Sequence, residues 1–249
     1  MIELQQLAAG YGNQRVLKDV SLALEKGSLT SIIGVNGCGK STLLKAILGM
    51  IPLQSGEIRV DGQNIHEMSR NAIARKIAYL PQGRNTPDMT VAQLVLHGRF
   101  PHLNYPRRYT KQDETIAFSA MEQLGIGELA RKPLSALSGG MRQNAYIAMA
   151  LAQGTEYVLL DEPTTYLDLP HQLALMKTLR KLADQGKGMI AVTHDIQMAF
   201  TFSDRIILLH DGTVLDHGTP EAVCKRKGVA RIMGIGLEPS EAGYSYQFQ

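Results

Sequence analysis

Four short apolar runs set the frame of this chain, at residues 29–33, 157–160, 189–193 and 206–209. Runs of four or five residues with almost no polar interruption predict strands covered on both faces of a sheet. Helical stretches separate the last three, and that alternating order predicts a mostly parallel sheet in an α/β fold. Residues 2–7 and 20–24 alternate apolar and polar side chains and predict an antiparallel β flank. Residues 56–62 read as a hairpin-like piece ending in the turn dipeptide Asp61-Gly62. A helix is expected over 41–48, with Leu43, Leu44 and Ile47 on one face. From 90 to 137 the periodicity turns helical, with Val91, Leu94 and Val95 in one segment and Ile116, Phe118, Met121 and Leu124 in another, joined by the proline-punctuated stretch 100–106. The expectation is a single domain over 1–233 carrying an inserted helical subdomain at about 90–150. A tail at 234–249, rich in Gly, Ser, Tyr and Gln, shows no periodicity and suggests no role.

Composition narrows this picture without changing it. With 249 residues, 44% hydrophobic and 20% charged, the chain can bury a sizeable core in one α/β domain. A formal net charge of +3, with Lys and Arg scattered, makes no electrostatic case for nucleic acid. The densest basic spots, Arg107-Arg108 with Lys111 and Lys225-Arg226-Lys227, read as solvated surface. Two cysteines, Cys38 and Cys224, exclude a disulfide framework and indicate a reducing compartment. The N-terminus lacks a basic segment followed by an apolar one, and no stretch reaches the roughly 18 to 20 apolar residues of a membrane span. A cytosolic chain is expected.

The chemistry begins directly after the strand at 29–33. Gly34-Val35-Asn36-Gly37-Cys38-Gly39-Lys40-Ser41 fits the phosphate-cradling pattern G-x-x-x-x-G-K-[ST] and continues through Thr42 into the helix. Glycines at 34, 37 and 39 let backbone N–H groups and the helix N-terminus point at phosphates, where dipole and donors both favour anions. A nucleoside triphosphate is the expected ligand, with Lys40 neutralising its charge and Ser41 ligating Mg²⁺. A second signal is the apolar run ending in Asp161-Glu162, at the strand edge where α/β sheets place ligands. Adjacent acids there need separate tasks: Asp161 holding Mg²⁺ and Glu162 polarising the water that attacks the γ-phosphate. A strand ending in solvated acids is the plain alternative.

Between the two motifs stands Leu137-Ser138-Gly139-Gly140, followed by Met141-Arg142-Gln143 and an apolar helix. Ser138 suits an N-cap, and the glycines expose N–H groups to a γ-phosphate. This segment resembles the signature of ATP-binding cassette (ABC) proteins, and the resemblance spans Tyr11 to about Gly218. It implies a P-loop ATPase of the ABC type that uses ATP and Mg²⁺. Tyr11 matches the aromatic that stacks on adenine, Gln82 the lid glutamine that senses Mg²⁺, Asp168 the dimer-contacting loop and His194 the switch histidine. Glu162, His194, Gln82 and Lys40 are the implied catalytic set, and Ser41, Gln82 and Asp161 the implied metal set. The implied nucleotide contacts are Tyr11, Gly34, Asn36, Gly37, Cys38, Gly39, Lys40, Ser41, Thr42, Ser138, Gly139, Gly140 and Asp168. The family resemblance further implies a head-to-tail homodimer in which Ser138 and Gly140 of one copy close over ATP held by Lys40 of the other.

His97-Gly98-Arg99-Phe100-Pro101-His102 resembles a segment of cassette ATPases from importers of iron chelates, haem and cobalamin. Those systems pair two ATPase chains with integral-membrane permease subunits and a substrate-binding protein. The implied location is the cytoplasmic face of the inner membrane, as a peripheral subunit, with no nucleic-acid partner. A plain connector, or a metal site using the two histidines, is the alternative for this segment. For the chain as a whole the alternatives are the ATPase of another importer or exporter, a soluble non-transport cassette, and an unrelated P-loop kinase or GTPase, which the 137–140 signature opposes. Two departures from the family pattern are Met141, where Gln is usual, and Tyr166, where a small residue is common. Met141 is expected to pack against the signature helix. Cys38, near a helix N-terminus, is expected to carry a lowered thiol pKa, so that alkylation would block ATP binding.

Overall fold

The computed structural model describes residues 1–83, 86–165, 167–241 and 243–247. From the N-terminus, β1 (Ile2–Tyr11), β2 (Gln14–Leu24) and β3 (Leu29–Ile33) lead through the glycine loop into α1 (Lys40–Ile47). β4 (Leu53–Val60), β5 (Gln63–Asn64), α2 (Arg70–Lys76) and β6 (Ile77–Leu80) follow. The helical insertion is α3 (Val91–His97), α4 (Lys111–Gln123) and α5 (Gly139–Ala152). Then β7 (Tyr157–Asp161), α6 (Leu169–Asp184), β8 (Gly188–Val192), α7 (Ile196–Phe202) and β9 (Arg205–His210) alternate as expected, and β10 (Thr213–Gly218) follows β9 directly. The chain ends in α8 (Pro220–Lys225), α9 (Gly228–Met233), β11 (Gly236–Ser240) and β12 (Gly243–Gln247).

Six strands form the central sheet in the order β10-β9-β3-β8-β7-β6, parallel except for β10 against β9. Every residue of β3, β7 and β8 is buried, which is why those runs carry no alternation. Alternate side chains still serve opposite faces. Val158 and Leu160 join α6 and the helical insertion, while Tyr157 and Leu159 join α1 and the antiparallel sheet β2-β1-β4-β5. β1 and β2 run longer than their alternation suggests. Gln6 and Asp19 take positive φ, and register shifts between Leu4 and Leu7 break the two-residue period. Asp61 and Gly62, at φ 50° and 80°, make the tight turn into β5.

The insertion is built on capped helices. Thr90 and Thr110 each form a reciprocal capping box, with Gln93 and Asp113. α4 buries Asp113, Ala117, Ala120 and Met121, so Phe118, expected on the core face, is 51% exposed. Arg99 locks the insertion together. Its Nε donates to Asp113 Oδ1 at 2.9 Å and its Nη1 to Ala152 O at 2.9 Å, tying the end of α3 to the starts and ends of its neighbours.

The tail is structured where the sequence showed no periodicity. β11 and β12 pair from Gly236 with Gln247 to Ser240 with Gly243. β12 carries Tyr244 and Tyr246 two residues apart, and Tyr244 packs edge-on to Phe200 of α7 with ring centroids 5.3 Å apart. Leu237 and Tyr244 thereby extend the small core of Ile33, Ile196, Phe200 and Val229.

Candidate nucleotide site

The glycine loop connects β3 to α1 in a conformation only glycine tolerates. Gly34 has φ 157°, and a Cβ there would stand 2.3 Å from Leu209 O. Gly39, at φ 107°, precedes α1 and lies against Leu17 of β2. Lys40 folds back over the loop, its buried ammonium donating to Gly34 O at 2.8 Å and Val35 O at 3.0 Å. Ser41 Oγ donates to Asp161 Oδ1 at 3.1 Å, and the Tyr79 hydroxyl to Asp161 Oδ2 at 3.4 Å. Burial pushes the Asp161 carboxyl above its ordinary range, against the lowering effect of the Ser41 hydrogen bond. The same burial, with the neighbouring Asp161 charge, pushes the Tyr79 phenol up.

Sheet order explains how the remaining groups meet. β8, β7 and β6 are parallel neighbours, so the residues just past their C-terminal ends emerge side by side. Glu162, after β7, holds φ 52° while its N–H bonds Val192 O. Its carboxylate receives Gln82 Nε2, from beyond β6, at 2.5 Å on Oε2. His194 Nε2, from beyond β8, meets Oε1 at 2.5 Å, and since a carboxylate only accepts, that nitrogen carries the proton. Thr165 Oγ1 adds a third donor at 3.2 Å. A cleft of about 480 Å³ is lined by Asn36, Lys40, Ser41, Thr42 and this Gln82-Glu162-His194 group.

Other expected contacts lie outside that cleft. Tyr11, ending β1, is 48% exposed. Ser138 caps α5 through the Met141 N–H at 3.3 Å, and Gly139 lines a second cavity of about 450 Å³ with Arg142 and Thr165, which meets the first at Gln82. Asp168 caps α6 by accepting the His171 N–H at 3.1 Å, and a Cβ on Gly140 would sit 3.2 Å from the His171 ring. Within one copy the signature turn and the phosphate loop therefore face different cavities. Met141 is 43% exposed. One expectation needs correction: Cys38 is buried with its thiol pKa raised, because desolvation outweighs the nearby Lys40 charge. Tyr166 lies outside the described residues.

The histidines of the 97–102 segment are engaged by backbone: His97 Nδ1 with Gln93 O at 2.7 Å and His102 Nε2 with Gln153 O at 2.8 Å. Among the described residues no group of three or more His, Cys, Asp and Glu is placed to hold a metal ion. Arg107 stacks over the Phe100 ring at 4.5 Å, while Arg226 and Lys225 are ion-paired with Asp216 and Glu221. Sequence reasoning missed Tyr79, Thr165 and His171. Tyr79 lies in the strand that leads to Gln82, and Thr165 follows Glu162 by three residues, but no motif marks any of the three.

A P-loop followed by a mixed sheet, a helical insertion and an acid at the end of the strand beside the loop defines a cassette-type ATPase. Residues 17–165 match the ABC transporter family, and the chain belongs to it. It is 45% identical over 239 residues to the iron(3+)-hydroxamate import ATP-binding protein FhuC of Bacillus subtilis, covering 95% of this chain and 89% of that one. It is 42% identical over 236 residues to the achromobactin transport ATP-binding protein CbrD of Dickeya dadantii, covering 94% and 88%. Among solved structures, the dimeric cassette MJ0796 aligns with a TM-score of 0.76 at 30% identity, over 88% of this chain and 99% of that chain. The chain is an ATP-binding ATPase subunit. No helix among the described residues is long and apolar enough to cross a membrane.

Proposed function

We propose that this chain hydrolyses ATP to drive uptake of an iron chelate, as a peripheral subunit on the cytoplasmic face of a membrane permease. The observation that carries the reading is Glu162 held between Gln82 and His194 at the mouth of the phosphate loop. Phosphates of ATP would take over the Lys40 ammonium from the Gly34 and Val35 carbonyls and receive loop N–H groups and the α1 dipole. Glu162 is the group that takes the proton of the attacking water, with the two flanking side chains fixing its orientation.

The donor set suits Mg²⁺: the Ser41 hydroxyl, the Asp161 carboxylate and the Gln82 amide oxygen are hard oxygens beside the phosphate loop. When bound, the cation supplies charge neutralisation at the phosphates. Ser138 and Gly140 would act on the nucleotide of a second copy, since neither lines the cleft of its own. Permease contact fits a groove of about 580 Å³ lined by Met50, Tyr79, His97, Phe100, Pro101 and Met149, which includes most of the 97–102 segment that resembles importer cassettes. A substrate-binding protein would belong to the same system. Iron(3+)-hydroxamate import by FhuC and achromobactin transport by CbrD support the substrate class.

Replacing the chromosomal copy by Glu162→Gln tests this in the native host. Purified Glu162→Gln should keep ATP binding and lose hydrolysis by about a hundredfold or more. Cells carrying it should stop accumulating radio-iron supplied as siderophore chelates. Undiminished hydrolysis removes Glu162 as the base; undiminished chelate uptake removes the substrate class.

A further inference from the structure

The C-terminal hairpin is laid along α7 at three successive points. Gly243, at φ 126°, lies so close to Thr201 that a Cβ would stand 2.6 Å from its side chain. Tyr244 packs on Phe200, and the Gln197 N–H donates to the Tyr246 hydroxyl oxygen at 3.3 Å. Gln197 lies in the first turn of α7, whose N–H groups have no partner within the helix. Asp195 accepts the Met198 N–H at 2.9 Å and donates its own N–H to Thr193 Oγ1 at 3.1 Å. Between these pinned positions stands His194, with its ring on Glu162. From the other side, Ile232 and Met233 of α9 line a cavity of about 360 Å³ together with Val35, Thr193 and His194.

From this geometry we infer that the C-terminal hairpin is a positioning element of the ATPase site, with Tyr246 fixing the first turn of α7 and thereby the ring of His194 against Glu162. Tyr246 is a positioning residue, acting through α7 and touching no reacting atom. The inference rests on the reading of His194 as the partner of Glu162. Its logic is geometric: a ring whose Nε2 must meet a carboxylate within hydrogen-bond reach tolerates little rotation of the backbone that carries it. β11 is itself held, because Cys224 Sγ of α8 donates to Leu237 O at 3.0 Å, so the hairpin is braced by the domain and α7 is braced by the hairpin.

Tyr246→Phe in the full chain removes only the acceptor and keeps the ring. Two readouts separate positioning from general stability: the side-chain ¹⁵N resonances of His194, and the division of any loss between kcat and KM. The expected result is a shift of the His194 resonances, a fall in kcat of about three- to tenfold with KM for ATP unchanged, and a melting temperature close to that of the unmodified chain. Gly243→Val, which displaces the whole hairpin from Thr201, should shift the same resonances further. Unchanged His194 resonances in both variants would overturn the inference. If His194→Ala hydrolysed ATP at the full rate, the catalytic reading of His194 would fall, while the resonance shift would still decide whether the hairpin sets the ring.

Discussion

Cys38 shows how one buried atom can reverse an expectation drawn from a motif. A helix N-terminus and Lys40 both favour a thiolate, but the thiol is 3% exposed and desolvation dominates, so its pKa goes up. Sequence gives the neighbours of a side chain along the chain, whereas the core that takes in Cys38 also holds residues of distant elements, among them Leu17 of β2 and Leu209 of β9. Limited treatment with iodoacetamide should therefore modify half-buried Cys224 ahead of Cys38, with ATP binding retained after one equivalent has reacted. Peptide mass mapping against reaction time checks the order. Modification of Cys38 at the rate of a free thiol would show that the loop opens readily.

At the scale of elements, the helical insertion depends on Arg99 more than on any one apolar contact. Its guanidinium and the Asp113 carboxylate are both buried, and Arg99→Ala would strand the carboxylate with only the capping donors of Thr110. The expected loss of unfolding free energy is about 3 kcal/mol, with Arg99→Lys intermediate because a single ammonium lacks the planar fork that reaches Asp113 and Ala152 O from separate nitrogens. The same pair sets an acid limit. Hydrogen bonds from Thr110, then the Arg99 bond and charge, overcome burial and hold the Asp113 carboxyl at about 2, below its ordinary 3.8. A depressed carboxylate stabilises fully above its unfolded value. Up to about 2 kcal/mol should thus be lost as pH falls from about 4 to about 2, and Arg99→Ala should weaken but not abolish this fall in urea-melt stability, because the Thr110 bonds remain. Element identity was legible where one cause dominates: the apolar runs gave β3, β7, β8 and β9, and the glycine loop gave the start of α1. It failed where causes compete. Bulges at Gln6 and Asp19 hid the length of β1 and β2, and β12 announces itself only through two tyrosines whose partners lie on α7.

Taken as one object, the molecule places its chemistry by strand order. Gln82, Glu162 and His194 are 80 and 32 residues apart in pairs, yet adjacent strands deliver them to one carboxylate. Motifs could name these residues, but only the β8-β7-β6 neighbourhood brings them together. The same architecture leaves the signature turn unsatisfied as a nucleotide contact within a single copy, because Gly139 lines a separate cavity while Lys40 and Ser41 line the cleft. An isologous pair of copies resolves this: each would close its Ser138 turn over the phosphates of the other, giving two equal sites from one interface. The distinction is testable in the Glu162→Gln background, where bound ATP persists. Sedimentation of that variant with ATP should show a dimer, and adding Ser138→Arg should leave a monomer that binds a fluorescent ATP analogue with unchanged affinity. The bulky cation would block closure between copies while the phosphate loop of its own copy stays intact. Loss of nucleotide binding by the monomer would instead assign Ser138 to the site of its own chain, and the two cavities would then have to merge within one copy.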